Sequence, residues 1–150
     1  MKGRTYRYFE GEPLWPFGYG LSYTRFQYSD LRLPQVPINA GDALNVAVTV
    51  TNAGARAGDE VVQLYLKFPD IPGAPLRALR GFGRIHLTPG ASQVIDFHLS
   101  PRDLSMVTET GDIILAQGRY TVTAGGGQPG SGAATIDGSF EVKGQITLPE

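Results

Sequence analysis

From about residue 23 onward the chain carries runs in which apolar side chains recur at every second position, and this alternation narrows the possible folds more than any other feature of the chain. In "LNVAVTV" the residues Leu44, Val46, Val48 and Val50 share one face, while Asn45, Ala47 and Thr49 share the other. "VVQLYLKF" sets Val62, Leu64, Leu66 and Phe68 against Gln63, Tyr65 and Lys67, and "SQVIDFHLS" sets Ile95, Phe97 and Leu99 against Val94, Asp96 and His98. Further on, Tyr120 and Val122 alternate with Thr121 and Thr123, then Ile136, Phe140 and Val142 with Thr135, Asp137 and Glu141. A strand points successive side chains to opposite faces, so these runs read as half-buried antiparallel strands.

Turn signals separate the runs: "NAGD" at 39–42, "NAGARAGD" at 52–59, "TPGA" at 88–91 and "GGGQPGSG" at 125–132. About seven strands broken at this spacing predict an all-β fold, an antiparallel β-sandwich. The first strand, "YTRFQYSDLRL", changes phase, because Phe26 and Tyr28 share a parity that Leu31 and Leu33 do not. A bulge near Ser29–Asp30 reconciles them. Only "SPRDLS" (100–105) reads as a helical turn, with Ser100 as cap and Pro101 at the first helical position. The Pro-rich "PDIPGAPLR" (69–77) is expected to be a surface loop.

At 150 residues the chain is long enough for one domain with a buried core. A net charge of −1 gives no electrostatic case for nucleic acid or an anionic membrane. Without cysteine there is no disulfide framework, thiolate metal site or cysteine nucleophile, although this leaves the compartment open. "MKGRTYRYFEGEP" has no apolar segment of the signal-peptide kind, and no run of apolar residues is long enough to span a membrane as a helix.

Several patterns suggest chemistry and then fail on context. "GGGQPG" (125–130) fits the dinucleotide-binding spacing, but that site needs a helix after the loop, and here a strand-like run follows. Asp96 and His98 sit two apart on one strand with Ser92 and Ser100 nearby. Neighbours at that spacing project in parallel, whereas a catalytic triad converges from different elements. His86 and His98 lack a third metal ligand. Asp59 and Glu60 are expected to close the Gly58 turn and to face water, respectively. No second carboxylate is identifiable for glycosidic acid–base work. The reading is therefore no catalytic residue, no metal and no cofactor.

The anomaly is "RTYRYFEGEPLWPFGYGLSY" (4–23), which holds Tyr6, Tyr8, Phe9, Trp15, Phe17, Tyr19 and Tyr23. Its rings follow neither a helical nor a strand period, so the segment reads as a loop threaded through contacts. Gly11, Gly18 and Gly20 allow close backbone approach, and Pro13 and Pro16 stiffen the path. Three roles remain open: an interface, since Tyr, Trp and Arg are enriched at contact hot spots; a lid on the chain's own sandwich; or a platform on which sugar faces stack. A chain that opens inside such a segment looks cut from something longer.

These residues carry a resemblance. "GRTYRYFEGEPLWPFGYGLSYTRF" (3–26), "VTNAGARAGDEVVQLYL" (50–66), "LRGFGRIHLTPG" (79–90) and "DLS" (103–105) occur in the order in which similar segments occur at the C-terminal end of family 3 glycoside hydrolases. The resemblance covers essentially the whole chain. It implies a fibronectin type III-like, immunoglobulin-like sandwich over 23–150, preceded by an aromatic leader over 1–22 that comes from an adjoining domain. It implies a parent of β-glucosidase or β-xylosidase type whose catalytic Asp and Glu lie in domains outside this chain, so Glu10, Glu12 and Glu60 are not substitutes for them. The expected partners are those catalytic domains, with a second copy of the chain, or a polysaccharide or lignin-like polymer, as alternatives. For the parent a periplasmic or secreted location is favoured, and glucose specificity over xylose stays open.

Overall fold

The alternating runs become strands because each can bury one complete face. The computed structural model describes residues 5–17, 20 and 22–149. Its strands are β1 (Phe26–Arg32), β2 (Ile38–Asn39), β3 (Leu44–Asn52), β4 (Gly58–Lys67), β5 (Ala78–Leu87), β6 (Ser92–Leu99), β7 (Met106–Val107), β8 (Ile113–Leu115), β9 (Gly118–Gly125), β10 (Thr135–Lys143) and β11 (Ile146–Leu148). Seven of them are seven residues or longer, matching the expected strand count, and the other four are two or three residues long.

One sheet has the order β1-β3-β6 and the other the order β2-β10-β9-β4-β5, while β11-β8-β7 forms a small third sheet. Pairing is antiparallel except where β10 meets β2. Between the two large sheets lies the core. Leu44, Val46, Val48 and Val50 of β3 meet Val62, Leu64 and Leu66 of β4, with Tyr120, Val122, Phe140 and Val142 from β9 and β10. Each such side chain contributes roughly 1.5–3 kcal/mol by leaving water. Tyr120 stacks on Phe140 with ring centroids 5.3 Å apart. Its hydroxyl donates to the Ala116 carbonyl (2.8 Å) and accepts from the Ala116 amide (3.2 Å), closing the turn that leads into β9.

The phase change of the first strand is a bulge. The β1–β3 register shifts between Ser29 and Arg32, and Asp30 adopts a positive φ of 50°. The kink returns Leu31 and Leu33 to the inner side, where they press on Gly138 so closely that a Cβ there would come within 2.6 Å of Leu33. In the 100–105 segment Ser100 accepts one turn of backbone hydrogen bonds from Asp103 and Leu104, and the Asp103 carboxylate accepts from the Ser100 amide. The 69–77 segment is a loop as expected, although Ile71 and Ala74 lean on the core.

Two expectations change. Gln63 and Tyr65, read as the outer face of β4, are buried, Tyr65 to 1% exposure. β4 is an interior strand, between β9 and β5, and something lies over its outer face. The leader also contains a one-turn helix, α1 (Thr5–Tyr8), where sequence reading expected only loop.

Candidate interdomain surface

What covers the Tyr65 end of β4 is the leader. Tyr6, carried by α1, stacks on Phe17 (centroids 4.6 Å apart, planes 18° apart) and stands edge-on to Tyr65 at 6.2 Å. Two hydrogen bonds fix the placement: the Leu79 amide donates to the Tyr6 hydroxyl (3.1 Å), and the Leu76 amide donates to the Arg7 carbonyl (2.8 Å). Beneath them Tyr65 donates to the Gln63 side-chain carbonyl at 2.6 Å. Burial, reinforced by the neighbouring Tyr6, pushes the Tyr65 hydroxyl up to about 12, so it remains a donor across the whole neutral range.

The expected surface residues therefore divide. Tyr6 and Tyr8 are half-buried, and Phe17, though stacked on Tyr6, keeps much of its ring in solvent. Phe9 turns its ring over Gly11, where an added Cβ would sit 2.7 Å from Cζ. Trp15 is 70% exposed and Tyr23 93% exposed. Tyr19 lies outside the described residues. Leu14, which the count of aromatics overlooked, is 93% exposed beside Trp15. The leader is thus pinned to the sandwich at one end while presenting a stretch of apolar surface outward.

The suspected catalytic and metal-binding residues do not converge. His86 is on β5 and His98 on β6, in different sheets. His98 contacts the Asn45 side chain (2.7 Å), and Ser92 and Ser100 bond to Thr51 and Asp103 instead. The described residues contain no group of three metal-ligating side chains. Residues 126–134 simply join β9 to β10. An open cleft of about 700 Å³, lined by Arg32, Pro34, Asn45, Ala47, Asp96 and His98, lies against β3 and β6.

Asp59 does not merely close a turn. It accepts from Arg84 (2.5 Å) and meets His86 Nδ1 (2.6 Å), and the Arg84 bond foremost, then that of His86, lowers its carboxyl below the usual range. Glu60, expected to face water, is half-buried and accepts from the Tyr28 hydroxyl at 2.8 Å. Burial raises its carboxyl above the usual range, against the pull of that hydrogen bond. It also lifts the Tyr28 hydroxyl well above the normal phenol range.

A family model described as a fibronectin type III-like domain matches residues 60–128. Among curated proteins, a putative β-xylosidase of Formosa agariphila is 38% identical over 125 residues, covering 81% of this chain and 16% of that protein. Probable β-glucosidase D of Aspergillus oryzae is 41% identical over 141 residues, covering 81% of this chain and 19% of its own length. Among solved structures, β-glucosidase 3B of Thermotoga neapolitana bound to glucose superposes with a TM-score of 0.83 at 32% identity, covering 97% of this chain and 19% of that one. The chain thus spans less than a fifth of the length of each of these relatives. What it matches is the fibronectin type III-like part and not the catalytic part.

Proposed function

We propose that this chain, which belongs to the fibronectin type III-like domains of family 3 glycoside hydrolases, braces the catalytic domains of its parent enzyme through the aromatic leader. In this reading residues 1–22 are the joint and residues 23–150 the brace. Tyr6, Tyr8, Phe9, Trp15, Phe17, Tyr19 and Tyr23 form the surface between them and the rest of the enzyme. The parent is a β-glucosidase acting on terminal β-D-glucosyl residues. Relatives named as β-glucosidases and β-xylosidases match about equally well, so glucose over xylose is the finer part of the proposal.

The observation that carries this reading is the split within the leader. Its first turn is fastened to β4 and β5, whereas Leu14, Trp15 and Tyr23 stand largely in solvent. Large rings and aliphatic chains held at a fixed place on a domain surface are typical of contact sites, since burying each one on association removes about 2 kcal/mol or more of unfavourable hydration. A polymer platform would instead need rings in line on one rigid face. Trp15 sits in a bend and Tyr23 near the start of β1, so they share no strand.

The test is Trp15→Ala, made both in the 150-residue chain and in the full-length enzyme. Bracing predicts a lower melting temperature for the full-length variant and no adsorption of the isolated chain to cellulose, xylan or lignin. Adsorption that disappears with Trp15 would transfer the leader to the polymer-binding reading. A concentration-dependent dimer that Trp15→Ala dissolves would give the surface to a second copy instead.

A further inference from the structure

The leader covers only one end of the outer face of β4 and β5, and the rest of that face is unusual. Along β4 the outward residues run Tyr65, Gln63, Val61 and Asp59, and their partners on β5 are Leu79, Phe82, Arg84 and His86. Tyr65 and Leu79 lie under Tyr6. One pair further along, Phe82 stands 73% exposed on the edge strand, and in the next pair Val61 is 42% exposed. Beyond them Asp59 and Arg84 form an exposed ion pair, with His86 Nδ1 against the same carboxylate. At the rise of an extended strand, Tyr65 and Val61 are about 13 Å apart. This makes one continuous strip: aromatic leader, exposed Phe82, exposed Val61, charged rim.

Such an order of ring, aliphatic and rim charges is the anatomy of a contact patch, with apolar anchors inside and polar groups at the edge. The two glycines beside Phe82 have inward reasons. A Cβ on Gly81 would lie 2.7 Å from the Phe97 ring, and one on Gly83 would touch Ile95. Inward packing gives no such reason for Phe82. The outer face of the other large sheet is different. There Asn45 bonds His98 and Thr51 bonds Ser92 across strands, leaving Val94 as its one exposed large hydrophobic among the described residues. That is a solvent face.

We infer that the parent's catalytic domains dock along the outer face of β4 and β5, with Phe82 as a second anchor next to the leader. The occupant is a neighbouring domain of the same polypeptide rather than a polymer. The relatives carry more than four-fifths of their length outside the matched region, and an edge-strand ring beside a charged rim fits an apolar socket with polar margins better than an extended sugar chain. This inference rests on the bracing reading and adds where on the sandwich the brace bears.

Hydroxyl-radical labelling of the full-length enzyme and of the isolated 150-residue chain, side by side, tests it. Docking predicts that labelling of Phe82 falls at least about threefold in the full-length enzyme, as expected for a ring moved into an interface core, while His98 on the other sheet labels equally in both. Phe82→Ser should then lower the melting temperature of the full-length enzyme and leave that of the isolated chain unchanged. If Trp15 becomes protected and Phe82 does not, bracing stands but the docking face is elsewhere and the inference is overturned. If neither is protected, both the bracing reading and the inference fall. Protection of Phe82 in the isolated chain that grows with concentration would assign the face to a second copy, which also overturns it.

Discussion

Asn52 is a polar side chain with no solvent exposure at the end of β3, and every hydrogen-bonding position on its amide is used. The nitrogen donates to the Arg56 carbonyl (2.8 Å) and the Leu87 carbonyl (2.9 Å), and the oxygen accepts from the Thr24 hydroxyl (2.7 Å) and the Gly54 amide (3.0 Å). One residue thereby ties the approach to β1, the β3–β4 turn and the end of β5. Gly54 must be glycine here, since a Cβ would lie 2.1 Å from Thr24 Oγ1. Asn52→Ala strands the buried Leu87 carbonyl and removes the part-buried bond to Arg56, and stranding a buried polar group costs about 1–3 kcal/mol. Urea unfolding is expected to show a loss of about 2 kcal/mol or more. A loss under about 1 kcal/mol would mean that water replaces the amide and the hub is not structural. Asn52→Asp should fare no better, because a carboxylate has no donor for the two carbonyls.

At the scale of elements the leader and β4 explain one another. Tyr6 supplies an acceptor for the Leu79 amide, a stacking partner for Phe17 and a cover for Tyr65, so Tyr6→Ala removes all three together. The expected outcome is faster hydrogen exchange at Leu79 and Leu76 and a stability loss of about 2–3 kcal/mol from the uncovered ring surface. Unchanged exchange at Leu79 would show that the leader is not fastened there. The same pairing marks how far the sequence could be read. Strands such as β3 were legible because one face meets the core and the other meets water, which writes period two directly into the residue types. Even the β1 bulge was visible, as a break of parity between Tyr28 and Leu31. The burial of Gln63 and Tyr65 was not legible from alternation, because both are amphipathic and suit water or a covered face equally well. Tyr65 is covered by Tyr6, some sixty positions away, and Gln63 is held by the Tyr65 hydroxyl and the Gly126 carbonyl, so no local pattern records either burial. Phe82 was visible only as an aromatic on the solvent parity of β5, a signal that aromatic counting over the leader obscured.

For the molecule as a whole, the two large sheets are joined at one end by a carboxylate. Glu60 of β4 accepts from Tyr28 of β1, and Gly126, just after β9, is so close that a Cβ there would fall 2.2 Å from Glu60 Oε1. Folding thus draws Glu60 out of water at the junction of three segments, and burial raises its carboxyl above the ordinary value of 4.5. A carboxyl raised by folding holds its proton more tightly in the native state than in the unfolded chain, so stability falls as pH climbs from 4.5 to the raised value and is flat above it. Asp59 works in the opposite sense. Its lowered carboxyl adds stability above its ordinary value of 3.8, and that stability is lost as pH falls through the depressed value. The two effects occupy adjoining windows, which lets a single substitution separate them. Glu60→Gln keeps an acceptor for the Tyr28 hydroxyl and removes the buried charge. It is therefore expected to be more stable relative to the natural chain at pH 7 than at pH 4, with the acid limb due to Asp59 left in place. Denaturant unfolding of both proteins at the two pH values reads this directly. If the stability difference is the same at pH 4 and pH 7, Glu60 titrates alike in the folded and unfolded chains, and the sheets are joined there by the hydrogen bond and not against a buried charge.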